Sequence, residues 1–363
     1  MRFRLTDEQA AFSRSLDAML TAEDTVAAVR AWATGDPGPG RAVWSRLGAA
    51  GMFALAVPEA YDGVGPLPVE LAVAFVELGR HAVPGPLVET TAAAVLLAHL
   101  GDDGPAKRLL PGIASGDLSV SLRLPGRGRY ALDADTAGYV LVVEAEDADA
   151  PGRGAADADR PPVPPRGAAS EGDDGRSRED DDSPRWRLRA ASGHGGVRAS
   201  SDPARRLAVP NRDGEVLAAG PEVRDAAHRA GDWARLATAA QSLGVGLTLL
   251  DRTVSYVRQR KQFGMPIGAF QAVKHQLADA LVALEFARPL VFGAALSMAS
   301  SDIAAAKVAA GEGAYNAART ALQLHGAIGY TDEFDLSLWL RKARPLRDAW
   351  GTPAQCRSAV LAD

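Results

Sequence analysis

The sequence predicts a mainly helical α+β protein in three parts: an N-terminal helical domain, a small middle β-domain and a C-terminal four-helix bundle. Three observations predict it: apolar periods punctuated by Gly and Pro over 1–118, short β-type runs over 119–225, and long helical stripes over 226–363. The opening LTDEQAAF reads as a helix start capped by Thr6. Trp44, Leu47, Gly51 and Met52, then Leu71, Phe75 and Leu78, then Val95, Leu96 and Leu100 suggest further helices, with turns at DPGPG and PEAYDGVG. SVSLRL and GYVLVVEAE are the strand signals, and RLAVP and GEVLAA are weaker ones. In the last third, Leu236, Ala240, Leu243, Leu247, Leu250, Val254 and Val257 step by four and three along one long helix. Phe270, Val273, Leu277, Leu281, Leu284 and Val291 mark a second, with Pro289 a candidate kink. An Ala-rich third covers about 302–325 and a fourth runs from Glu333 to Asp348; short connections make the four an antiparallel bundle.

Composition narrows the function classes. With 47% hydrophobic and 23% charged residues over 363 positions, the chain is ordinary globular material. A net charge of −5 provides no global basic field to hold a nucleic-acid backbone. The single Cys356 excludes a disulfide framework and a multi-cysteine metal cluster. The N-terminus lacks the apolar core of a signal peptide, and even the apolar stretch 289–310 carries Asp302 and Lys307. The expectation is a soluble, cytoplasmic protein that binds neither nucleic acid nor membrane. One anomaly is the segment 146–185, which holds 12 acidic residues and 6 Arg with almost no large apolar side chain. It reads as a disordered insertion in a hairpin loop, or alternatively as an acidic docking arm.

Two segments of the bundle carry candidate chemistry. YVRQRKQFGMPIGAFQ (256–271) joins a basic helix end to a Gly-Met-Pro-Ile-Gly turn and a new helix. Its cations suit the negative end of a helix dipole without any ligand, and they equally suit an anion such as a diphosphate. QLHGAIGYTDEF (323–334) places Gly326 and Gly329 between helical patterns, with Thr331 or Asp332 as the expected cap. A histidine such as His325 ordinarily satisfies a local hydrogen bond.

In combination, R-x-Q-F-G-x-x-I-x-x-x-Q, then about fifty residues, then Q-x-x-G-x-x-G-Y-T, the chain resembles the C-terminal domain of the acyl-CoA dehydrogenase family. LTDEQAAF, WSRLGAAGMFALAVPEAYDGVG and the ELGR of 77–80 resemble its N-terminal segments. The resemblance covers 1–118 and 226–363 well and the middle poorly. It implies FAD between the β-domain and the bundle, with the adenosine diphosphate end reaching a neighbouring subunit. By motif position Arg260, Gln262, Phe263 and Gln271 would touch FAD, with Gln323 and Gly326 contributing from across a dimer. The implied reaction is α,β-dehydrogenation of an acyl-CoA thioester: a Glu takes the α-proton and the flavin takes the β-hydride.

The chain also departs from that family. Trp350 stands where most members keep the base before a Gly-Thr pair, and Ala234 stands where a minority carry it on the first bundle helix. Neither side chain can accept a proton at neutral pH. Asp232 lies about 200° round the helix from Ala234, and Asp348 two residues before Trp350 is the one neighbour that helical geometry leaves open as a relocated base. SLRLPGRGRY (121–130) occupies the approximate place of the family's Thr-Glu-Pro-x-x-Gly-Ser-Asp segment. This combination resembles the Glu-lacking partner chain of heteromeric α2β2 actinobacterial acyl-CoA dehydrogenases, which act on bulky acyl-CoAs such as steroid side chains. No catalytic residue is therefore assigned to this chain. The alternatives are a self-sufficient homo-oligomeric dehydrogenase and a flavin-free interaction protein on the same fold.

Overall fold

Thr6 opens the first helix as expected: its hydroxyl accepts from the Gln9 amide while the Gln9 side chain accepts from Thr6 N–H, a reciprocal cap. A computed structural model describes residues 4–145, 186–198 and 200–362, so the acidic segment 146–185 lies outside the described residues. Six helices come first: α1 (Asp7–Ala22), α2 (Thr25–Thr34), α3 (Gly38–Ala49), α4 (Pro68–Arg80), α5 (Leu87–Ala98) and α6 (Gly104–Ser115). The strands are β1 (Val120–Arg123), β2 (Ala131–Leu132), β3 (Tyr139–Ala145), β4 (Trp186–Ala191), β5 (Leu207–Ala208) and β6 (Gly214–Ala219). Then come α7 (Pro221–Gln259), the hairpin β7 (Lys261–Gln262) and β8 (Met265–Pro266), and the helices α8 (Gln271–Ser297), α9 (Ser300–His325), α10 (Leu336–Asp348) and α11 (Pro353–Ala362).

The strands form a four-stranded sheet in the order β1-β3-β4-β6, with β1 parallel to β3 and the other pairs antiparallel. A separate two-stranded pair joins β2 and β5. The sheet is tied to the helices through β1, because the Thr90 hydroxyl on α5 both donates to Val120 O (3.0 Å) and accepts from Val120 N (2.9 Å). A buried ion pair between Lys342 on α10 and Asp202 (3.3 Å) ties the strand region to the bundle.

At the centre is α7, which packs against α4, α5, α8, α9 and α10. Its heptad-like stripe is buried apart from the half-buried Val254, but from 236 to 250 every residue is buried, so this stretch has no solvent face. The approach of α4 to α7 explains the glycine of ELGR. A Cβ on Gly79 would fall 2.1 Å from Gln241 O, and one on Gly244 would fall 1.9 Å from Val76 O.

The structure corrects four expectations. Pro289 lies inside α8, which continues to Ser297. Its core face is Ala280, Leu284, Ala287 and Val291, whereas Leu281, expected inside, is 45% exposed beside Val282, Phe286 and Leu290. The reason is close packing: Gly246 on α7 brings the backbones so near that its Cβ would meet Leu284 at 2.5 Å and the Ala314 Cα of α9 at 3.1 Å. By length and composition α8 is the one described helix apolar enough to cross a membrane; here one side of it is packed into the bundle. Secondly, β4 has no counterpart among the expected strands; Leu188 and Ala190 alternate inward with the half-buried Arg187 and Arg189. Thirdly, a fifth helix, α11, packs on α9. Lastly, neither Thr331 nor Asp332 caps α10: the Thr331 hydroxyl donates back to Ile328 O, and Asp332 pairs with Arg341.

Candidate functional site

The two motif segments meet at one end of the bundle. Both α7 and α9 end there and α8 begins there, so the 256–271 and 323–330 turns are neighbours. Tyr256 stacks on His325 with ring centroids 4.1 Å apart, and Phe334 packs against both. His325 Nδ1 donates to Ala321 O (2.8 Å), and burial pushes its imidazole below the ordinary histidine range. Its place is in this aromatic stack.

At the C-cap of α7, Arg260 is exposed; its backbone N–H closes on Tyr256 O (2.9 Å) and its carbonyl accepts from Ile267 N (2.8 Å). Its guanidinium has no hydrogen bond or ion pair among the described residues, so it does not cap the helix. Gln262 lies on the β7–β8 hairpin, opposite Met265. Phe263 at the tip is 89% exposed in a left-handed conformation (φ 54°), edge to face with Phe270. Gln271 is the exposed first residue of α8. Gly326 follows α9 at φ 63°, with open space where a Cβ would be. Gln323 lines a groove of about 520 Å³ between α8 and α9, with Gln276, Asp279, Asn316, Arg319 and Thr320.

This end fits the adenosine diphosphate part of FAD on its own chemistry. The groove is rimmed by amide and hydroxyl donors, the Arg260 guanidinium has no partner among the described residues, and Phe263 exposes a ring that contributes little to the core. Beside it, α8 presents the apolar face Leu281, Val282, Phe286 and Leu290 to the outside.

The two positions that lack the base lie in the opposite part of the bundle, where α7 meets the strand region. Ala234 is fully buried, and its carbonyl accepts from the Thr238 hydroxyl (2.6 Å). Trp350 sits in the turn after α10 at φ 57°, a conformation a bulky residue seldom adopts. Several groups hold it there. Its indole N–H donates to Glu89 Oε1 (3.2 Å), and its carbonyl accepts from Arg235 Nε (3.2 Å). The buried Lys307 of α9 donates to Leu346 O and Arg347 O (2.9 Å each) and to Gly351 O (3.5 Å), fixing both sides of the turn.

No freely accessible carboxylate replaces the base among the described residues here. Asp348 points to the rim, where Arg344 Nε lies 3.2 Å away, and Arg347 adds a weaker contact at 3.8 Å. Both oxygens of Asp232 are engaged, by Arg235 Nη1 (2.5 Å) and by the Ser300 hydroxyl (2.7 Å). Sequence reasoning missed Glu89. It sits in the first turn of α5, is 3% exposed, and keeps Oε2 without a partner. Burial raises its pKa above the ordinary carboxylate value, while Arg205 and the Trp350 N–H oppose that rise. Together with Arg123, Arg127, Arg205 and Trp350 it lines a cavity of about 200 Å³.

Comparison with known proteins follows the same division. Residues 6–117 match the family model for the acyl-CoA dehydrogenase N-terminal domain, and 225–361 match the model for the acyl-CoA dehydrogenase C-terminal domain. The protein described as acyl-CoA dehydrogenase IpdE2 of Mycobacterium tuberculosis is 32% identical over 319 residues, covering 87% of this chain and 85% of the relative. The ChsE4-ChsE5 complex from Mycobacterium tuberculosis shares the fold at a TM-score of 0.77 and 22% identity, covering 100% of this chain and 98% of that one. A variant of the Tcur3481-Tcur3483 steroid ACAD does so at 0.76 and 24% identity, covering 98% and 97%.

Proposed function

The chain belongs to the acyl-CoA dehydrogenase family, with FAD as its cofactor, and from that premise we propose that it is the base-lacking half of a heteromeric acyl-CoA dehydrogenase. The carrying observation is the pair Ala234 and Trp350, which leaves both of the family's base positions without a carboxylate. In this reading Arg260, Gln262, Phe263, Gln271, Gln323 and Gly326 hold the adenosine diphosphate end of FAD. The apolar side of α8 meets a homologous chain, and that chain's Glu removes the α-proton of the acyl-CoA. FAD, when bound, supplies the acceptor for the β-hydride, so that one proton and one hydride leave the substrate and an α,β double bond remains. What this chain's residues do is bind and orient: Arg260 neutralises diphosphate charge and the open backbone at Gly326 permits close approach. The ChsE4-ChsE5 complex and the steroid ACAD among the fold relatives support a two-chain assembly acting on bulky acyl-CoAs.

The test is the visible spectrum of the chain purified alone and co-purified with a Glu-bearing homologue, before and after anaerobic acyl-CoA addition. The expected result is a flavin band that bleaches in the complex and not in the chain alone. Bleaching by the chain alone overturns the reading.

One observation favours a second reading, a self-sufficient dehydrogenase. Glu89 is a buried carboxyl within hydrogen-bond reach of the residue that replaces the base, and burial raises its pKa above the ordinary carboxylate value. Bleaching by the single chain selects this reading; if Glu89→Gln abolishes it with the flavin band retained, Glu89 is the base, and bleaching that survives the substitution removes Glu89 from that role.

A further inference from the structure

The aromatic stack of Tyr256, His325 and Phe334 is gripped from outside the bundle. Phe334 belongs to the segment 331–335 that leads into α10, and its ring centroid lies 5.4 Å from that of His325 and 6.5 Å from that of Tyr256. Arg30, on α2 of the N-terminal helices, turns one terminal nitrogen toward oxygens on both sides of Phe334. Its Nη2 donates to Asp332 O (3.2 Å), Glu333 O (3.3 Å) and Asp335 Oδ1 (2.9 Å). The remaining side-chain ties of this segment stay within the bundle: Asp332 pairs with Arg341, and the Thr331 hydroxyl donates to Ile328 O. Arg30 is the one N-terminal side chain that hydrogen-bonds to 331–335 among the described residues.

The two rings that Phe334 touches sit at the motif turns themselves. Tyr256 O accepts the backbone N–H of Arg260, which closes α7, and His325 is the last residue of α9, directly before Gly326. Arg30 and Asp335 each have side chains 43% exposed, so their ion pair adds little to stability by itself. What charge-assisted hydrogen bonds to two backbone carbonyls can do is fix where a segment of chain lies. We propose that Arg30 is a positioning residue for cofactor binding: by holding the backbone on both sides of Phe334 it keeps that ring against Tyr256 and His325, and so keeps the turns that carry Arg260 and Gly326 in their places relative to each other. This role rests on the reading that this end of the bundle binds the adenosine diphosphate part of FAD. Arg30 hydrogen-bonds to none of the residues assigned to FAD and acts on them through Phe334.

The experiment is FAD affinity by flavin fluorescence in the assembled complex, beside the thermal midpoint of the flavin-free chain, for the wild type, Arg30→Met, Arg30→Lys, Phe334→Leu and the double variant of Arg30→Met with Phe334→Leu. Arg30→Met should weaken FAD binding roughly 3- to 30-fold, the range for a residue that acts without touching the ligand. The flavin-free midpoint should stay within about 2 °C of the wild type, as for the loss of an exposed ion pair. Arg30→Lys keeps the charge and a donor and should recover part of the affinity. In the double variant, Arg30→Met should add little to the loss from Phe334→Leu, because both changes act through one ring. Unchanged affinity in Arg30→Met overturns the proposal, whatever the midpoint does, and leaves Arg30 a structural tie. Fully additive losses overturn it too, because Arg30 then acts by a route other than Phe334. Arg260→Ala separates this failure from that of the cofactor reading. If Arg260→Ala weakens FAD binding and Arg30→Met does not, the role of Arg30 falls alone; if neither does, the reading of this end falls with it.

Discussion

The two ends of the bundle are finished in different ways. Where α7 meets the strand region, most polar groups have settled on partners inside the chain: Trp350 on Glu89, Lys307 on three carbonyls, Asp232 on Arg235 and Ser300. At the far end, the Arg260 guanidinium has no partner among the described residues, Phe263 stands in solvent and Gly326 faces open space, and along its length α8 exposes a row of apolar side chains. A site that must deliver a base to a substrate keeps that group available; a site that has lost the base can let its polar groups close on one another. The contrast teaches that substitutions at the closed junction should act on stability, whereas substitutions at the open end should act on what the chain binds.

The largest expected effect is at the junction's buried ion pair. Lys342 and Asp202 have side chains 5% and 4% exposed, so Lys342→Met strands a buried carboxylate. It should lower unfolding free energy by about 3–5 kcal/mol in denaturant titration. A loss below about 1 kcal/mol would mean that solvent reaches the pair and that the junction is less closed than its contacts indicate.

Next is Asp133, fully buried, accepting from Trp32 Nε1 (3.0 Å) and with Oδ2 unpartnered. Burial raises its pKa from 3.8 to about 7. A raised carboxyl favours the folded state while it is neutral, so its contribution is fully present below about pH 4 and is lost as pH rises through about 7. Asp133→Asn keeps the acceptor, tolerates the left-handed φ of 53° and stays neutral. Above pH 7 the variant should therefore be more stable than the wild type, on the order of 2–4 kcal/mol, and the difference should shrink on acidification. Equal stabilities at pH 5 and pH 8 would remove Asp133 from the pH response.

A smaller loss is expected from Trp350→Phe, which keeps an aromatic ring but withdraws the N–H from Glu89. Both carboxyl oxygens then lack a partner, at a cost of about 1–3 kcal/mol. Adding Glu89→Gln should recover nothing if the cost comes from packing of the ring, and part of it if the cost comes from the stranded carboxyl.

The closed junction and the open end are not equally legible in the sequence. The open end is built from short motifs whose residues lie within a few positions of one another, so Arg260, Phe263 and Gly326 stand out from the order of residues alone. The junction depends on contacts between distant positions. Glu89 and Trp350 are 261 residues apart, and Glu89 reads locally as an ordinary acidic residue in a helix's first turn. The helical stripe of α7 is readable because large apolar residues occupy it. The stripe of α8 misleads for the opposite reason: a close helix contact admits alanine on the core side and turns Leu281 and Phe286 outward. The alternation of β4 is obscured by Arg187 and Arg189, charged residues at its half-buried positions.

The smallest effect on stability, and the most informative, is expected at Arg260. Its guanidinium is exposed and makes no hydrogen bond or ion pair among the described residues, so Arg260→Ala should change the stability of the flavin-free chain by less than about 0.5 kcal/mol. If Arg260 meets the diphosphate, the same substitution should weaken FAD binding by about 1.5–3 kcal/mol, roughly 10- to 150-fold, because a charge-assisted hydrogen bond is lost. The measurement is FAD affinity by flavin fluorescence in the assembled complex, beside thermal unfolding of the chain without flavin. The helix-dipole alternative predicts the reverse pattern, a loss of stability in the flavin-free chain that FAD affinity simply follows. The geometry speaks against that alternative: the end of α7 is closed by the backbone N–H of residue 260 on Tyr256 O, a bond alanine retains. A large affinity loss on an unchanged fold would place Arg260 with the groups that act on something outside the chain, whereas equal losses would return it to the closed half of the comparison.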